Sequence, residues 1–368
     1  MAALPSIRPR SIVFLGTAHD NGGSSILAGE LAEAMRAAGH DVEEWYLFGP
    51  RLAGMHASAR VFNDGPRARS FVSIAALFVR LILEFRARRP DAIFGLQSLA
   101  NLIAGISGRI AGVRNRVPTY HIPSEHQDPI LMRLDRIAGR LGFYTRMIAC
   151  AKSVAETYHG AAYERRLGVV ANGQKKPQAF PRAHARNELG LPSNGIVIGQ
   201  LGRLCYQKNQ MFTLDLLKDL PDVMLLLVGT GPDSAAVSTK IADTGLQDRV
   251  RVVNAIDYAR IGLFYAAVDV VVFPSRFEGL SLAAIEAIHA GVPPLCSDIP
   301  SFREMFHASA PLSEKLIVPL ADRHGWLAGI RAMVSDVALR GCVTAELARL
   351  APNFLFDHMA EQYLAALD

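Results

Sequence analysis

Apolar residues along the chain fall into short runs of strand length, separated by longer stretches in which they recur at helical spacing. In the first half the strand-like runs are residues 12–15, 42–48, 92–95, 117–121, 147–150 and 168–170. Residues 26–38, between the first two runs, have helical spacing and close at Gly39. The second half repeats the alternation, with runs at 196–201, 223–228, 250–254, 268–273 and 294–296. Strand alternating with helix predicts an α/β fold class with two Rossmann-like parallel sheets. Asn172-Gly173 turns the chain, and the polar, proline-bearing segment 174–184 reads as a linker. The expected domains are therefore 1–180 and 190–348, followed by a terminal segment 349–368. Residues 353–367 in that segment predict one amphipathic helix with Phe354, Phe356, Met359, Tyr363 and Leu367 on a broad apolar face.

Composition supports two cores, since half of the 368 residues are apolar. Charge separates the halves. Residues 1–185 carry 24 Lys+Arg against 14 Asp+Glu, net +10, and residues 186–368 carry 15 against 20, net −5. A basic first half implies an anionic partner. Arg80, Arg86, Arg88 and Arg89 accompany the apolar run 71–85, and Arg133, Arg136, Arg140 and Arg146 punctuate 131–148 at near-helical spacing. Both patterns suit basic helices resting on an anionic membrane surface, and both also suit ordinary solvated helix faces. No nucleic-acid motif accompanies the charge, so no nucleic acid partner is expected. Arg80 and Glu84 interrupt the best apolar run short of the roughly twenty residues a bilayer requires. Residues 12–15 are too short for a signal sequence, and the four cysteines are scattered. These features predict a cytoplasmic protein, peripheral at the inner face of a membrane.

The chemistry concentrates in FPSRFEGLSLAAIE, residues 273–286, which sets Glu278 and Glu286 eight positions apart across a strand, loop and helix start. The backbone amides of Leu280, Ser281 and Leu282 would form a donor cluster suited to a diphosphate, and Gly279 lets a ligand come close. Glu286 lies inside the apolar run LAAIEAIHAG, where an ionised group needs a partner. The plainer alternative makes one glutamate a helix-dipole complement and the other a solvated face residue. In GRLCYQKN, Arg203 and Lys208 follow a predicted strand, at the sheet edge where open α/β folds bind ligands. Cations there would stabilise charge developing on a departing diphosphate, and as a plain alternative they are surface charges. VGTGP, residues 228–232, is half of a dinucleotide fingerprint with Ser234 at its third small position, and reads as an ordinary strand-to-helix turn. The G-x-G-x-x-G motif is absent from the first loop, where Gly22 and Gly23 open the backbone instead. His121 ends a predicted strand at a ligand-facing edge, while His126 reads as structural.

The segment PSRFEGLSLAAIEAIHAGVP, with its E-x7-E spacing, resembles the donor-site signature of the retaining GT-B-fold glycosyltransferases of group 1, family 4. The resemblance implies a GT-B architecture of two Rossmann-like domains facing across a cleft, with the C-terminal helix packed back on the first domain. It implies transfer from a nucleotide-diphosphate sugar to a glycan or lipid-linked acceptor, with no cofactor, and since neither predicted sheet carries an acidic metal cluster, no metal ion is expected. His121, Arg203, Lys208 and Glu278 become the catalytic candidates, and Gly22, Gly23, Gly279, Leu280, Ser281, Leu282 and Glu286 the donor-binding ones. Glu278 and His121 would touch hydroxyls of the transferred sugar and Glu286 the nucleotide ribose. The family's stretch after the glutamate helix is matched by Ser297, Asp298 and Glu304, but IPSFR between them lacks the usual glycines. The competing functions are a sugar-nucleotide epimerase of the same fold and a non-catalytic sugar-nucleotide-binding subunit.

Overall fold

Short apolar runs become parallel strands in both halves of the chain. The computed structural model describes residues 8–18, 23–50, 59–65, 71–160, 162–307 and 309–367. Two units are distinct: Met1–Asn172 together with Phe356–Asp368, and Gly173–Leu355.

The first unit contains β1 (Ser11–Ala18), β2 (Asp41–Phe48), β3 (Arg60–Val61), β4 (Ala92–Gly95), β5 (Asn115–Tyr120), β6 (Met147–Ala149) and β7 (Leu167–Val169), in the order β3-β2-β1-β4-β5-β6-β7. Every pairing is parallel, so each connection must cross over the sheet. Helices α1 (Gly23–Ala37), α2 (Phe71–Arg88), α3 (Ser98–Ala111) and α4 (Pro129–Arg140) make the longer crossings. Ile12, Val13, Phe14 and Leu15 of β1 are all buried, because helices cover both faces of a parallel sheet. Trp45 of β2 stacks on Phe85 of α2 with ring centroids 4.9 Å apart. Phe94 of β4 stacks on Phe14 and meets Tyr363 of the terminal helix Phe356–Ala365, which seats the end of the chain in this unit. The five apolar residues expected on the terminal face are all buried. They do not form one helix, however. Leu355 takes an extended conformation and bridges to Gln174, so a short turn, Ala351–Phe354, ends in the second unit before the helix begins.

The second unit contains β8 (Ile196–Leu201), β9 (Val223–Val228), β10 (Val250–Val253), β11 (Val270–Phe273), β12 (Pro294–Ser297) and β13 (Ile317–Val318), in the order β10-β9-β8-β11-β12-β13. The direction of winding reverses between β8 and β11, and ligands of open α/β sheets bind outside the strand ends at such a point. Loops converge there. Gly202 N donates to Val228 O at 2.9 Å and Leu204 N to Thr230 O at 3.0 Å. A Cβ on Gly229 would lie 2.2 Å from Gly202 O, and one on Gly231 would lie 2.2 Å from Leu204 O. The VGTG turn is therefore glycine because two backbones touch. Among the described residues no helix is long and apolar enough to cross a membrane.

Candidate active site

The loops after β8 and β11 are joined along their length. Arg276 N donates to Gln207 O at 2.9 Å, and Asn209 Nδ2 donates to Pro274 O at 3.2 Å. Asn209 adopts a left-handed conformation with φ 56°, a backbone state asparagine tolerates, and this ends the loop where the helix Gln210–Leu217 starts. The Arg276 guanidinium stacks 4.4 Å from the Tyr206 ring centroid. These contacts hold the two loops as one scaffold.

Glu278 is the centre of that scaffold, with a side chain only 6% exposed. Lys208 Nζ donates to its Oε1 at 2.5 Å, Ser275 Oγ donates to the same oxygen at 2.7 Å, and Gln207 Nε2 reaches Oε2 at 3.3 Å. Gln207 also donates to Phe277 O at 3.1 Å, which fixes its own amide. Beneath them Ser297 Oγ donates to Ser275 O at 2.5 Å. A carboxylate has about four acceptor positions, so Glu278 keeps capacity for a further donor such as a sugar hydroxyl. Arg203 lies exposed in the same loop, with no hydrogen-bond partner for its guanidinium among the described residues.

Gly279 and Leu280 lead into the helix Leu282–Ala290, with Ser281 at its cap. Ser281 does not cap in the usual way: its side chain makes no bond to the first-turn amides, and its buried Oγ has no partner among the described residues. A hydroxyl orphaned at a helix start is costly unless a ligand completes it. Glu286, the fifth residue of this helix, is buried and accepts from Tyr265 Oη at 2.7 Å. Tyr265 also lies 2.9 Å from Ala283 O, and burial first, then the Glu286 charge, pushes its pKa up so that it stays protonated and donating. Burial first, then Glu278, likewise raises Cys296 and keeps it a thiol. Beyond the helix, Arg303 of IPSFR pairs with Asp298 and lowers the Asp298 pKa. An ion pair thus replaces the glycines expected there.

Two sequence models of one enzyme family match successive parts of the chain. The model for glycosyl transferases group 1 matches residues 181–340, and that for glycosyltransferase family 4 matches residues 21–174. The chain belongs to the group 1 glycosyltransferases. A D-inositol 3-phosphate glycosyltransferase of Jonesia denitrificans is 25% identical over 398 residues, covering 95% of this chain and 91% of the relative. The lipopolysaccharide core biosynthesis mannosyltransferase LpsB of Rhizobium meliloti is 29% identical over 199 residues, covering 51% of this chain and 56% of the relative. Among solved structures, sucrose-phosphate synthase from Thermosynechococcus elongatus superposes with TM-score 0.82 at 20% identity, covering 97% of this chain and 98% of that one. Anabaena Alr3699/HepE in complex with UDP-glucose gives TM-score 0.80 at 20% identity, with the same coverage. These likenesses establish the GT-B fold.

In the first unit of this glycosyltransferase, His121 is the residue after β5. Its Nε2 lies 2.9 Å from Thr119 Oγ1, and Thr119 donates its single hydroxyl proton to Gly95 O at 2.6 Å. The hydroxyl must then accept from the histidine, which fixes the proton on Nε2 and leaves Nδ1 as an acceptor. Burial lowers the His121 pKa to about 4, so the ring is neutral near pH 7. Asn101 of α3 brackets the same strand, giving Nδ2 to Thr119 O and accepting Thr119 N on Oδ1. Of the paired glycines, Gly23 opens α1 and Gly22 lies outside the described residues.

The structure thus brings Lys208 and Glu278 into contact, with Arg203 on one of the two joined loops and Ser281 on the continuation of the other. It also adds residues that sequence reading missed. Gln207 and Ser275 hold Glu278, Tyr265 holds Glu286 and Thr119 sets the His121 tautomer. Thr119 alone carried a local signal, since residues two apart on a strand share a face.

Proposed function

We propose that this glycosyltransferase moves a sugar from a nucleotide-diphosphate sugar to a hydroxyl acceptor with retention of the anomeric configuration. The observation that carries the reading is the Lys208–Glu278 pair, held by Ser275 and Gln207 at the switch point of the second sheet. A carboxylate held this firmly can accept from sugar hydroxyls without reorganising, which is how preorganised polar groups lower a barrier. The diphosphate lies against the start of the helix Leu282–Ala290, where the unpartnered Ser281 Oγ and the first-turn amides face it. Glu286 takes the ribose hydroxyls. Arg203 and Lys208 supply positive charge as the bond from the anomeric carbon to the phosphate oxygen breaks.

In the retaining step the acceptor oxygen attacks the anomeric carbon from the leaving group's own side. Its proton passes to the departing phosphate oxygen, so the products are the glycoside and the nucleoside diphosphate. Neutral His121 offers Nδ1 as an acceptor to a hydroxyl. The relative from Rhizobium meliloti acts in lipopolysaccharide core biosynthesis, and the one from Jonesia denitrificans on an inositol phosphate. We extend this to an envelope glycan or glycolipid acceptor here, which would take the enzyme to the inner membrane face.

The reading is tested by incubating the enzyme with uridine, guanosine and adenosine diphosphate sugars and an acceptor panel, then reading the anomeric coupling of the product by NMR. Product with the donor's configuration, lost in Glu278→Gln, is the expected result. Inverted product, or donor converted with no acceptor present, contradicts it.

A further inference from the structure

The two basic helical stretches of the first unit are treated in opposite ways. In α2 the cations are engaged internally. Arg80 donates to Phe62 O at 3.1 Å and stacks on its ring, Arg86 donates to Ile110 O at 3.4 Å, and Arg88 pairs with Asp41 at 2.7 Å and Glu43 at 3.3 Å. In α4 the single acidic residue is the one turned inward. Asp135 is 2% exposed and accepts from Tyr120 at 2.9 Å, Tyr144 at 2.6 Å and Tyr163 at 2.8 Å.

That clamp sets the rotation of α4 about its axis. Met132, Ala138 and Gly139 are buried on the same side as Asp135. A Cβ on Gly139 would stand 3.1 Å from Ala162 Cβ, so the helix is pressed close against its support. The opposite side shows Ile130, Leu134, Ile137 and Leu141 at 71%, 42%, 44% and 61% exposure. These positions follow the i, i+4, i+7, i+11 spacing of one continuous stripe. Arg133, Arg136 and Arg140 run along its flank, all exposed, and none makes a hydrogen bond or ion pair among the described residues. Asp128, at the cap, turns its carboxylate onto the amides of Ile130 and Leu131.

We propose that this face of α4 docks on an anionic lipid bilayer, its aliphatic stripe at the boundary of headgroups and acyl chains and its arginines on lipid phosphates. Charge selects this occupant. The exposed side of the helix carries cations and no acid, so an anionic surface is attracted along its whole length. Guanidinium groups suit phosphate because they can donate two bonds at once. A second copy docking through the same patch would set arginines against arginines, since a two-fold contact pairs a surface with itself. The inference rests on the membrane-surface part of the functional reading and not on the transfer chemistry. It needs no sugar nucleotide to be tested, so its failure is distinct from a failure of the transferase reading.

The test is cosedimentation of the full chain with vesicles of equal parts phosphatidylcholine and phosphatidylglycerol, beside vesicles of phosphatidylcholine alone. The wild type is expected on the anionic vesicles, less at high salt, and hardly at all on neutral ones. Changing Arg133, Arg136 and Arg140 together to Gln is expected to lower partitioning by about a hundredfold. Ile130→Ser with Ile137→Ser lowers it by about tenfold or more, whereas Arg86→Gln on α2 leaves it unchanged. Unaltered unfolding midpoints show that these surface variants remain folded. Equal binding by wild type and α4 variants, or no preference for phosphatidylglycerol, overturns the proposal. So does a vesicle-free dimer that the same variants abolish.

Discussion

Glu286 and Asp135 present the same problem in different units. Each is a carboxylate on a helix, each is nearly fully buried, and each is met by tyrosine. The surroundings differ. Asp135 is met by hydroxyls from three separate places, residues 120, 144 and 163, and burial raises its pKa while those donors pull it down. Glu286 is met by Tyr265, whose hydroxyl is shared with a carbonyl of the same helix, two residues beyond a serine left unpartnered. Burial of a charge among apolar neighbours therefore does not by itself mark a binding residue. A buried carboxylate closed in by three buried tyrosine hydroxyls is a clamp, whereas Glu286 lies on the helix whose start carries the unpartnered Ser281 Oγ, where a ligand can complete the bonding.

The strongest way to break that contrast is to exchange the expected losses. Glu278→Gln, at the same scaffold as Glu286, is expected to lower turnover by about 100- to 1000-fold with little change in unfolding midpoint. Steady-state kinetics beside a melting curve separate the two effects. Asp135→Ala should do the reverse, leaving three buried hydroxyls without their acceptor. Urea unfolding should show about 3 kcal/mol or more lost, while donor KM is unchanged. A large donor KM effect from Asp135→Ala would end the distinction between clamp and site.

A finer comparison sets Tyr265→Phe against Tyr163→Phe. Each removes one hydroxyl donor from a buried carboxylate and should cost about 1–2 kcal/mol of stability. Only Tyr265→Phe is expected to raise donor KM, by about five- to tenfold, because only Glu286 is assigned a ligand.

A pH-dependent effect concerns His121. Its folded pKa of about 4 lies below the 6.5 of an unfolded histidine, so the unfolded chain binds the proton first as pH falls. Stability is therefore full above about pH 6.5 and declines toward pH 4, by at most about 3 kcal/mol from this residue. His121→Gln should flatten the pH dependence of the unfolding midpoint over that interval relative to wild type. An unchanged slope would show that His121 is not held neutral.

Most of the sheet strands were legible because each is a continuous apolar run ended by glycine, proline or charge. β3 and β13 were not, since two residues make no run, and they pair only as edges on β2 and β12. The Glu278 junction was legible for a local reason: strand, breaker and helix start follow one another within fourteen residues. Its supports divide into two kinds. Gln207 lies 71 residues from Glu278 in sequence, a separation no periodicity reports. Ser275 is local but looked only like a strand breaker. Asp135 stands among arginines in MRLDRIAGR, so nothing local marked it as buried, and the three tyrosines that hold it lie 15, 9 and 28 positions away. In α2 and α4 the arginine spacing alone could not tell engaged cations from available ones.

The central claim is that Arg203, Lys208, Glu278 and the start of the helix Leu282–Ala290 form one nucleotide-diphosphate sugar site. Calorimetric titration of uridine, guanosine and adenosine diphosphates into wild type and Arg203→Met tests it most directly. Arg203 is exposed, so its loss should leave the fold intact. One preferred diphosphate is expected, bound by wild type and weakened about tenfold or more in Arg203→Met, as loss of a charge-assisted contact requires. The same dissociation constant in both proteins would contradict it.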